Sequence, residues 1–154
     1  MTRRHSRTVV RLPAVVLAFL LFVPLSLWAA GQPDYPVVFT DAAGVRREVV
    51  RPPARVVSLS PAISEIILRI GAGEALAGIT FHVRTPAGFA GLERVGGFFA
   101  PDIERVAALA PDMVFYAPRQ RKRVQAALAG QGQLVELAPD SIAGALAAIR
   151  LLGR

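Results

Sequence analysis

The sequence predicts an α/β fold, a Rossmann-like lobe in which a short parallel sheet is flanked by helices. A small β-hairpin and an N-terminal signal peptide precede this lobe. Short β-branched runs alternate with segments of helical periodicity, and helix-capping residues separate them. Strands that alternate with helices form parallel sheets with right-handed crossovers. The predicted domains are a signal peptide over residues 1–30 and a single lobe over residues 31–154.

The first 30 residues have the pattern of an export signal. Four arginines and no acid precede the apolar run LPAVVLAFLLFVPLSLWAA, which ends in small residues. The alternative is a retained membrane anchor, because residues 12–30 are nearly long enough to span a bilayer. Pro24 and the small residues at the exit favour cleavage. Removing the four arginines lowers the formal net charge from +7 to +3, so the charge does not indicate nucleic-acid binding.

The sequence contains no cysteine, which excludes thiolate catalysis and cysteine-ligated zinc within these residues. The residue that carries the lipid of an exported lipoprotein is missing too, so we expect a periplasmic protein that is not a lipoprotein. His82 is the one histidine after residue 30, and we therefore expect no metal site and no resident cofactor. Ser60, His82 and Asp112 have no spacing that selects them as a catalytic set, so no enzymatic activity is expected.

Turn and capping residues mark the predicted elements. Residues 37–50 form a hairpin around a turn at 41–44. A strand over 55–60 precedes a helix with Ser60 as N-cap and Pro61 at its first position. The remaining predicted elements are a strand over 75–80, a helix from Pro101, a strand over 111–117, a helix near 118–129, a strand over 133–138, and a final helix from Asp140 or Ser141 with Ile142, Leu146 and Ile149 on one face.

The carboxyl ends of the strands are the expected ligand side, because open parallel sheets bind ligands there. A long loop over residues 81–100 falls at this edge and offers aromatic and cationic groups, which suits a bulky ligand with an anionic handle. Alternatively, the phenylalanines cap the core and the histidine is solvated, and composition alone favours this interpretation. The predicted ligand-binding residues are Ser60, His82, Arg84, Phe98 and Phe99, with Phe81 beside them.

Two charged features have ordinary explanations. Glu104 faces outward in the first turn of the helix predicted from Pro101, where the helix dipole favours an acid. The run RQRKR, residues 119–123, is typical of a solvated helix face.

Two blocks carry a resemblance to a known family: VVFTDAAGVRREVVRPPARVVSLSPAISEIILRIGAGEALAGIT and VGGFFAPDIERVAALAPDMVF. They resemble the helical-backbone (class III) periplasmic substrate-binding proteins of ABC importers for cobalamin, iron siderophores and haem. The resemblance covers residues 37 to about 153. In that class a long helix joins two α/β lobes, and ligand is held between them. The sequence contains the N-terminal lobe only, so we expect a fragment of a longer protein.

The resemblance implies a solute-binding component that captures cobalamin or a ferric siderophore and delivers it to permease subunits. The glutamate matching Glu104 in the cobalamin binder forms a salt bridge to the permease, so the resemblance implies docking by Glu104. A ligand-lining aromatic position falls on Phe98. The loop position after the GIT strand is His82, and a histidine ligates haem iron, so haem is the alternative ligand. A lone-lobe, membrane-anchored interaction or sensory module is the other alternative.

Overall fold

The structure is a computed structural model that describes residues 35–153. The predicted signal peptide and its boundary at residue 30 lie outside the described residues. In chain order the strands and helices are β1 Val37–Thr40, β2 Arg46–Val49, β3 Val56–Ser58, α1 Pro61–Arg69, β4 Leu76–Ile79, β5 Glu93–Arg94, α2 Ile103–Ala108, β6 Met113–Tyr116, α3 Arg121–Ala127, β7 Gln133–Glu136 and α4 Ile142–Leu152.

The main sheet has the strand order β5-β4-β3-β6-β7, and all of its strand pairs are parallel. From the central strand β3 the chain builds outward through β4 to β5, then returns to add β6 and β7 on the other side. The order therefore reverses between β3 and β6, which makes a topological switch point there. β1 and β2 form a separate antiparallel hairpin. The predicted parallel α/β lobe with a small hairpin is confirmed.

The sheet is buried on both faces. Val56 and Phe115 belong to one core cluster, whereas Val57 and Val114 belong to the other, because successive strand residues point to opposite faces. Side chains of α1, α4 and the hairpin pack on the first face. Side chains of α2 and α3 pack on the second. Burial of apolar side chains on both faces of the sheet stabilises the lobe.

Two predicted details differ in the structure. The helix predicted from Pro101 begins at Ile103, because the Asp102 side chain is the N-cap and accepts a hydrogen bond from the Arg105 N–H at 3.1 Å. Pro101 instead forms an isolated bridge with Gly96. The loop predicted over residues 81–100 also contains β5, a two-residue edge strand paired with β4. Two residues are too few to show strand periodicity in a sequence.

The final helix begins as predicted after Ser141, whose hydroxyl accepts a hydrogen bond from the Gly144 N–H at 3.0 Å. Its packing face is different from the one that periodicity indicates. Ala148 is buried, whereas Ile142 is 85% exposed and Leu146 and Ile149 are also exposed. Within residues 35–153 no helix is both long enough and apolar enough to cross a membrane.

Candidate functional site

The switch point lies where β3 and β6 end. Three serines form a buried network between the end of β3 and the first turns of α1: the Ser64 hydroxyl donates to the Ser58 hydroxyl at 2.8 Å, and the Ser58 hydroxyl donates to the Ser60 carbonyl at 3.2 Å. Ser60 is the N-cap position of α1 but makes no side-chain capping bond. It is buried, so of the predicted ligand residues it is the least accessible.

A tight turn over residues 96–101, here called the aromatic turn, presents two phenylalanines at this edge. The Gly97 N–H donates to the Ala100 carbonyl at 3.2 Å and closes the turn. The rings of Phe98 and Phe99 lie 4.9 Å apart, edge to face. Phe98 is half-buried, but Phe99 is 79% exposed. The turn is a binding-site candidate, because it presents an exposed aromatic ring at the edge where open parallel sheets bind ligands.

The second loop at this edge, residues 80–85, carries the other predicted residues. The Phe81 N–H donates to the Gly96 carbonyl at 3.0 Å, which joins this loop to the aromatic turn. Phe81, His82 and Arg84 are all exposed. The structure therefore brings the aromatic residues of the two loops to one edge, with a histidine and an arginine on the same loop as Phe81. Their contact with a ligand stays a prediction.

One arginine organises the 80–85 loop. Arg94 in β5 donates to the carbonyls of Thr80 and Val83, each at 3.1 Å, and to the Thr85 hydroxyl at 3.3 Å. The Thr80 hydroxyl is fully buried and has no hydrogen-bond partner among the described residues. Buried hydroxyls normally have a partner, so a bound water or ligand group would be favourable there.

Glu104 is exposed in the first turn of α2, as predicted. Its neighbour Arg105 is occupied by Asp102 at 3.0 Å and by Glu93 at 3.2 Å. Within residues 35–153, no ion pair involves Glu104. The carboxylate is therefore available to a cationic group of another molecule.

The four cationic residues of the run at 119–123 are exposed, as predicted for a solvated face, but Gln120 is buried and two of the arginines bond to other parts of the lobe. Arg121 makes two 2.6 Å bonds to the fully buried carboxylate of Glu136, and this pairing raises the pKa of Arg121. Arg123 donates to the Pro101 carbonyl at 3.2 Å. Gln120 is buried between the strand edge and the aromatic turn. The composition of the run does not indicate these contacts. Its position after β6 does indicate that it lies at the carboxyl edge of the sheet.

Among the described residues, two concavities lie away from the aromatic turn, one of about 420 Å³ between the hairpin turn and α4 and one at the opposite end of the sheet. A cavity of about 350 Å³ opens under the hairpin beside Val56 and Met113, the first residues of β3 and β6. Its lining is largely apolar, and Glu74 is its one charged residue among those described. Ligand pockets combine apolar walls with several convergent polar groups, which this cavity lacks. No cluster of three or more potential metal-ligating acids or histidines occurs among residues 35–153.

No protein-family model matches the chain. A curated relative is the uncharacterized ABC transporter substrate-binding lipoprotein YvrC of Bacillus subtilis, 31% identical over 80 residues. The match covers 52% of this chain and 25% of that protein.

Two solved structures show the relationship of the folds. A mutant of the haem binding protein HmuT superposes with a TM-score of 0.65 at 26% identity, over 79% of this chain and 41% of that chain. The petrobactin-binding protein YclQ of Bacillus subtilis superposes with a TM-score of 0.63 at 17% identity, over 78% and 45%. Other similar structures are those of the vitamin B12 binding protein BtuF of Vibrio cholerae and the iron uptake substrate-binding protein PiuA of Streptococcus pneumoniae.

These similarities define the class. The chain has the fold of one lobe of the class III substrate-binding proteins of ABC transporters. It spans less than half of the length of those structures, and about a quarter of the curated relative.

The relative corrects one prediction. We expected an exported protein that is not a lipoprotein, because the sequence has no cysteine. YvrC is a substrate-binding lipoprotein, which contradicts that expectation. A cysteine count bears only on the residues counted, and the match with YvrC extends over a quarter of its length.

Proposed function

We propose that the chain is the N-terminal lobe of a solute-binding component of an ABC importer, and that it captures a metal chelate. The ligand is a cobalamin or a ferric siderophore, with haem as the alternative. The edge beyond β3, β4 and β6 forms one side of the binding cleft. The chain performs no chemistry on its ligand; it binds the chelate and delivers it to membrane permease subunits.

One observation carries this proposal: two exposed phenylalanines, Phe81 and Phe99, stand at the switch-point edge of a lobe with this fold. Ligands of doubly wound sheets bind at that edge. Macrocycles and catecholate chelates have flat apolar faces that stack on aromatic rings. The exposed Arg84 on the same loop supplies a cation for carboxylate or phosphate groups of such ligands.

A panel of chelates tests ligand capture. The full chain is heated alone and with haemin, cyanocobalamin, a ferric hydroxamate or a ferric catecholate. A ligand at 100 times its Kd stabilises the folded state by about 2.7 kcal/mol, which gives a clear rise in Tm. We expect one class of chelate to raise the Tm and the others to leave it unchanged. If no member of the panel raises the Tm, the proposal of chelate capture is wrong.

Permease docking by Glu104 is tested separately. The substitution Glu104→Lys is expected to leave chelate affinity unchanged and to reduce stimulation of the importer's ATPase, because it reverses the charge that would pair with a cationic group of the permease. Glu74→Lys is the matched control, since Glu74 is also exposed but lies before β4, at the other end of the sheet. Equal stimulation by both variants would contradict docking by Glu104.

The second candidate is a lone-lobe interaction or sensory module that binds a protein. The exposed side chains of Ile142, Leu146 and Ile149 on α4 favour it, because an apolar helix face of this kind is typical of protein contacts. This candidate predicts that no chelate raises the Tm. It also predicts that Leu146→Glu raises the solubility of the full chain. The mass of the exported product distinguishes the membrane-anchored form, because cleavage near residue 30 removes the anchor.

A further inference from the structure

Gln120 occupies an unusual position for a side chain in a basic run. It lies directly after β6, in the 3-10 turn Pro118–Gln120 that leads into α3, and is 5% exposed. Its carboxamide is satisfied at both ends. The oxygen accepts a hydrogen bond from the Ala117 N–H at 2.9 Å, and the nitrogen donates to the Leu59 carbonyl at 2.9 Å and the Phe98 carbonyl at 2.7 Å.

These three bonds join the parts of the candidate site. Leu59 follows β3 and Ala117 follows β6, so the amide bridges the two strand ends that form the switch point. Phe98 lies in the aromatic turn. A single neutral side chain therefore connects the switch point to the turn that carries the exposed ring. If the amide of Gln120 were removed, the carbonyls of Leu59 and Phe98 would lose this donor. Each buried group left unsatisfied costs about 1–3 kcal/mol.

We infer that Gln120 is a positioning residue: its amide N–H groups hold the aromatic turn against the switch point, so that Phe98 and Phe99 face the ligand in one fixed arrangement. The part of this inference that concerns ligand binding rests on the proposed function. The placement of the turn does not depend on any ligand. Binding sites gain affinity when loops are ordered before the ligand arrives, because less conformational entropy is lost on binding.

Two substitutions distinguish the role of the Gln120 amide nitrogen, which donates, from that of its oxygen, which accepts. Gln120→Glu keeps an oxygen for the Ala117 N–H, but places a second oxygen against the carbonyls of Leu59 and Phe98. Gln120→Met removes all three bonds. A role limited to starting α3 requires only the bond to Ala117, so it predicts a defect in the second variant alone. A role in positioning the turn predicts a defect in both variants.

The control removes an amide from the adjacent helix α3. Gln125 in α3 donates to the Tyr116 hydroxyl at 3.1 Å and makes no bond to the aromatic turn. Gln125→Met therefore tests whether loss of a nearby glutamine amide that does not contact the aromatic turn produces the same effect. The unfolding free energy of every variant is measured first, so that the comparison uses folded protein.

The decisive readout is the mobility of the turn in the full chain. Trp28 is the one tryptophan of the sequence, so Trp28→Phe combined with Phe99→Trp gives a single reporter at the turn. Time-resolved anisotropy of this reporter is recorded without ligand, in the parent and in the three glutamine variants. Titrations with haemin and cyanocobalamin follow, using chains with Phe99 intact.

We expect the fast component of the anisotropy decay to have a larger amplitude in both Gln120 variants than in the parent and the Gln125 variant. Affinity for the probe that binds is expected to fall about fivefold to tenfold in the Gln120 variants. Unchanged anisotropy in Gln120→Glu would overturn the inference, as would increased mobility with unchanged affinity. If the parent binds neither probe while the mobility changes as expected, placement of the turn by Gln120 is supported and the proposed function is contradicted for these probes.

Discussion

Two turns of the lobe are held in different ways. The hairpin turn, residues 41–45, surrounds the buried carboxylate of Asp41, which accepts bonds from the N–H groups of Ala43 and Val45 at 3.0 and 2.9 Å and from Arg47 at 2.8 Å. In the aromatic turn, side-chain donors bind backbone carbonyls: the buried neutral amide of Gln120 binds that of Phe98, and the exposed Arg123 binds that of Pro101. One turn therefore depends on a buried charge, and the other does not.

The two turns are therefore expected to contribute differently, the hairpin turn to stability and the aromatic turn to ligand binding. The Ala42 N–H donates to the carbonyl of Glu136, which attaches the hairpin turn to the end of β7, where Arg121 and Glu136 pair. Removal of one partner from an ion pair in this region leaves the other charge, or the groups bonded to it, without compensation in the interior. The aromatic turn contributes an exposed ring, whose removal costs little burial. We therefore expect substitutions in the hairpin turn to affect unfolding, and those at the tip of the aromatic turn to affect ligand binding.

The largest expected effect is that of Asp41→Ala. It removes the acceptor for two backbone N–H groups and the partner of Arg47, so we expect a loss of about 3 kcal/mol in the free energy of unfolding. Urea denaturation measures it. The control is Asp102→Ala, which removes the half-exposed N-cap of α2 and is expected to cost about 1 kcal/mol. Equal losses would contradict a special role of the buried charge.

A smaller effect is expected from alanine at the glycines of the two turns. Both have positive φ, +91° at Gly96 and +79° at Gly44. A methyl group on Gly96 would lie 2.6 Å from the Asp102 nitrogen, whereas one on Gly44 would meet no atom within 4 Å. We expect Gly96→Ala to cost about 2–3 kcal/mol and Gly44→Ala about 1 kcal/mol, by urea denaturation. The reverse order would show that the aromatic turn is not as tightly packed as described.

The effect of pH should distinguish the turns. Burial raises the pKa of Asp41, but hydrogen bonds from Val45 and Arg47 and the charge of Arg47 outweigh it, so its pKa is lowered. A lowered pKa in the folded state gives stability that is complete above the pKa of the unfolded chain, about 3.9, and is lost as pH falls through the folded value.

The difference in unfolding free energy between the parent and Asp41→Asn should therefore be constant from pH 7 to about pH 5 and shrink below about pH 4. Thermal unfolding at several pH values measures it. The mobility of the aromatic turn should not change over the same range. A difference between parent and Asp41→Asn that stays constant down to about pH 2 would contradict the charge-based hold of the hairpin turn.

The smallest expected effect on stability is that of Phe99→Ala. Because 79% of the side chain is already exposed, the free energy of unfolding should change by less than about 0.5 kcal/mol. Affinity for the bound chelate should fall all the same. Val106→Ala is the contrasting control, since that side chain is fully buried and its truncation costs stability. A large stability loss in Phe99→Ala would show that the ring packs on the lobe.

The sequence predicted the elements that local chemistry determines. Pro61 at the first helical position marks the start of α1, and Ser141 marks the start of α4 by capping it, because these signals act within one turn; Ser60 holds the N-cap position of α1 without a side-chain bond. The hydrophobic periodicity of α4 did not identify its packing face, since Ala148, Leu151 and Leu152 pack on the core and the larger Ile142 is exposed. Helix orientation depends on how neighbouring elements pack, which periodicity alone does not describe.

The contacts of the candidate site were only partly predictable. The position of Phe98 and Phe99 at the carboxyl edge was predicted, because loops after parallel strands meet at one edge, whereas their contact with a ligand stays a prediction. Gln120 and Arg94 were missed, because the carbonyls they bind come from other parts of the chain. Leu59 precedes Gln120 by 61 residues, and Thr80 precedes Arg94 by 14. A polar side chain whose partners are backbone groups this far away has no signature in local composition.

The most direct test of ligand capture at the carboxyl edge compares the two ends of the sheet by NMR. Amide shifts of the full chain are recorded with cyanocobalamin, a gallium-loaded siderophore or gallium protoporphyrin, which are diamagnetic. We predict that the shift changes are confined to residues 58–60, 80–85, 96–101 and 117–120. Changes that instead surround the cavity under the hairpin, at Phe39, Val56 and Met113, would contradict the account.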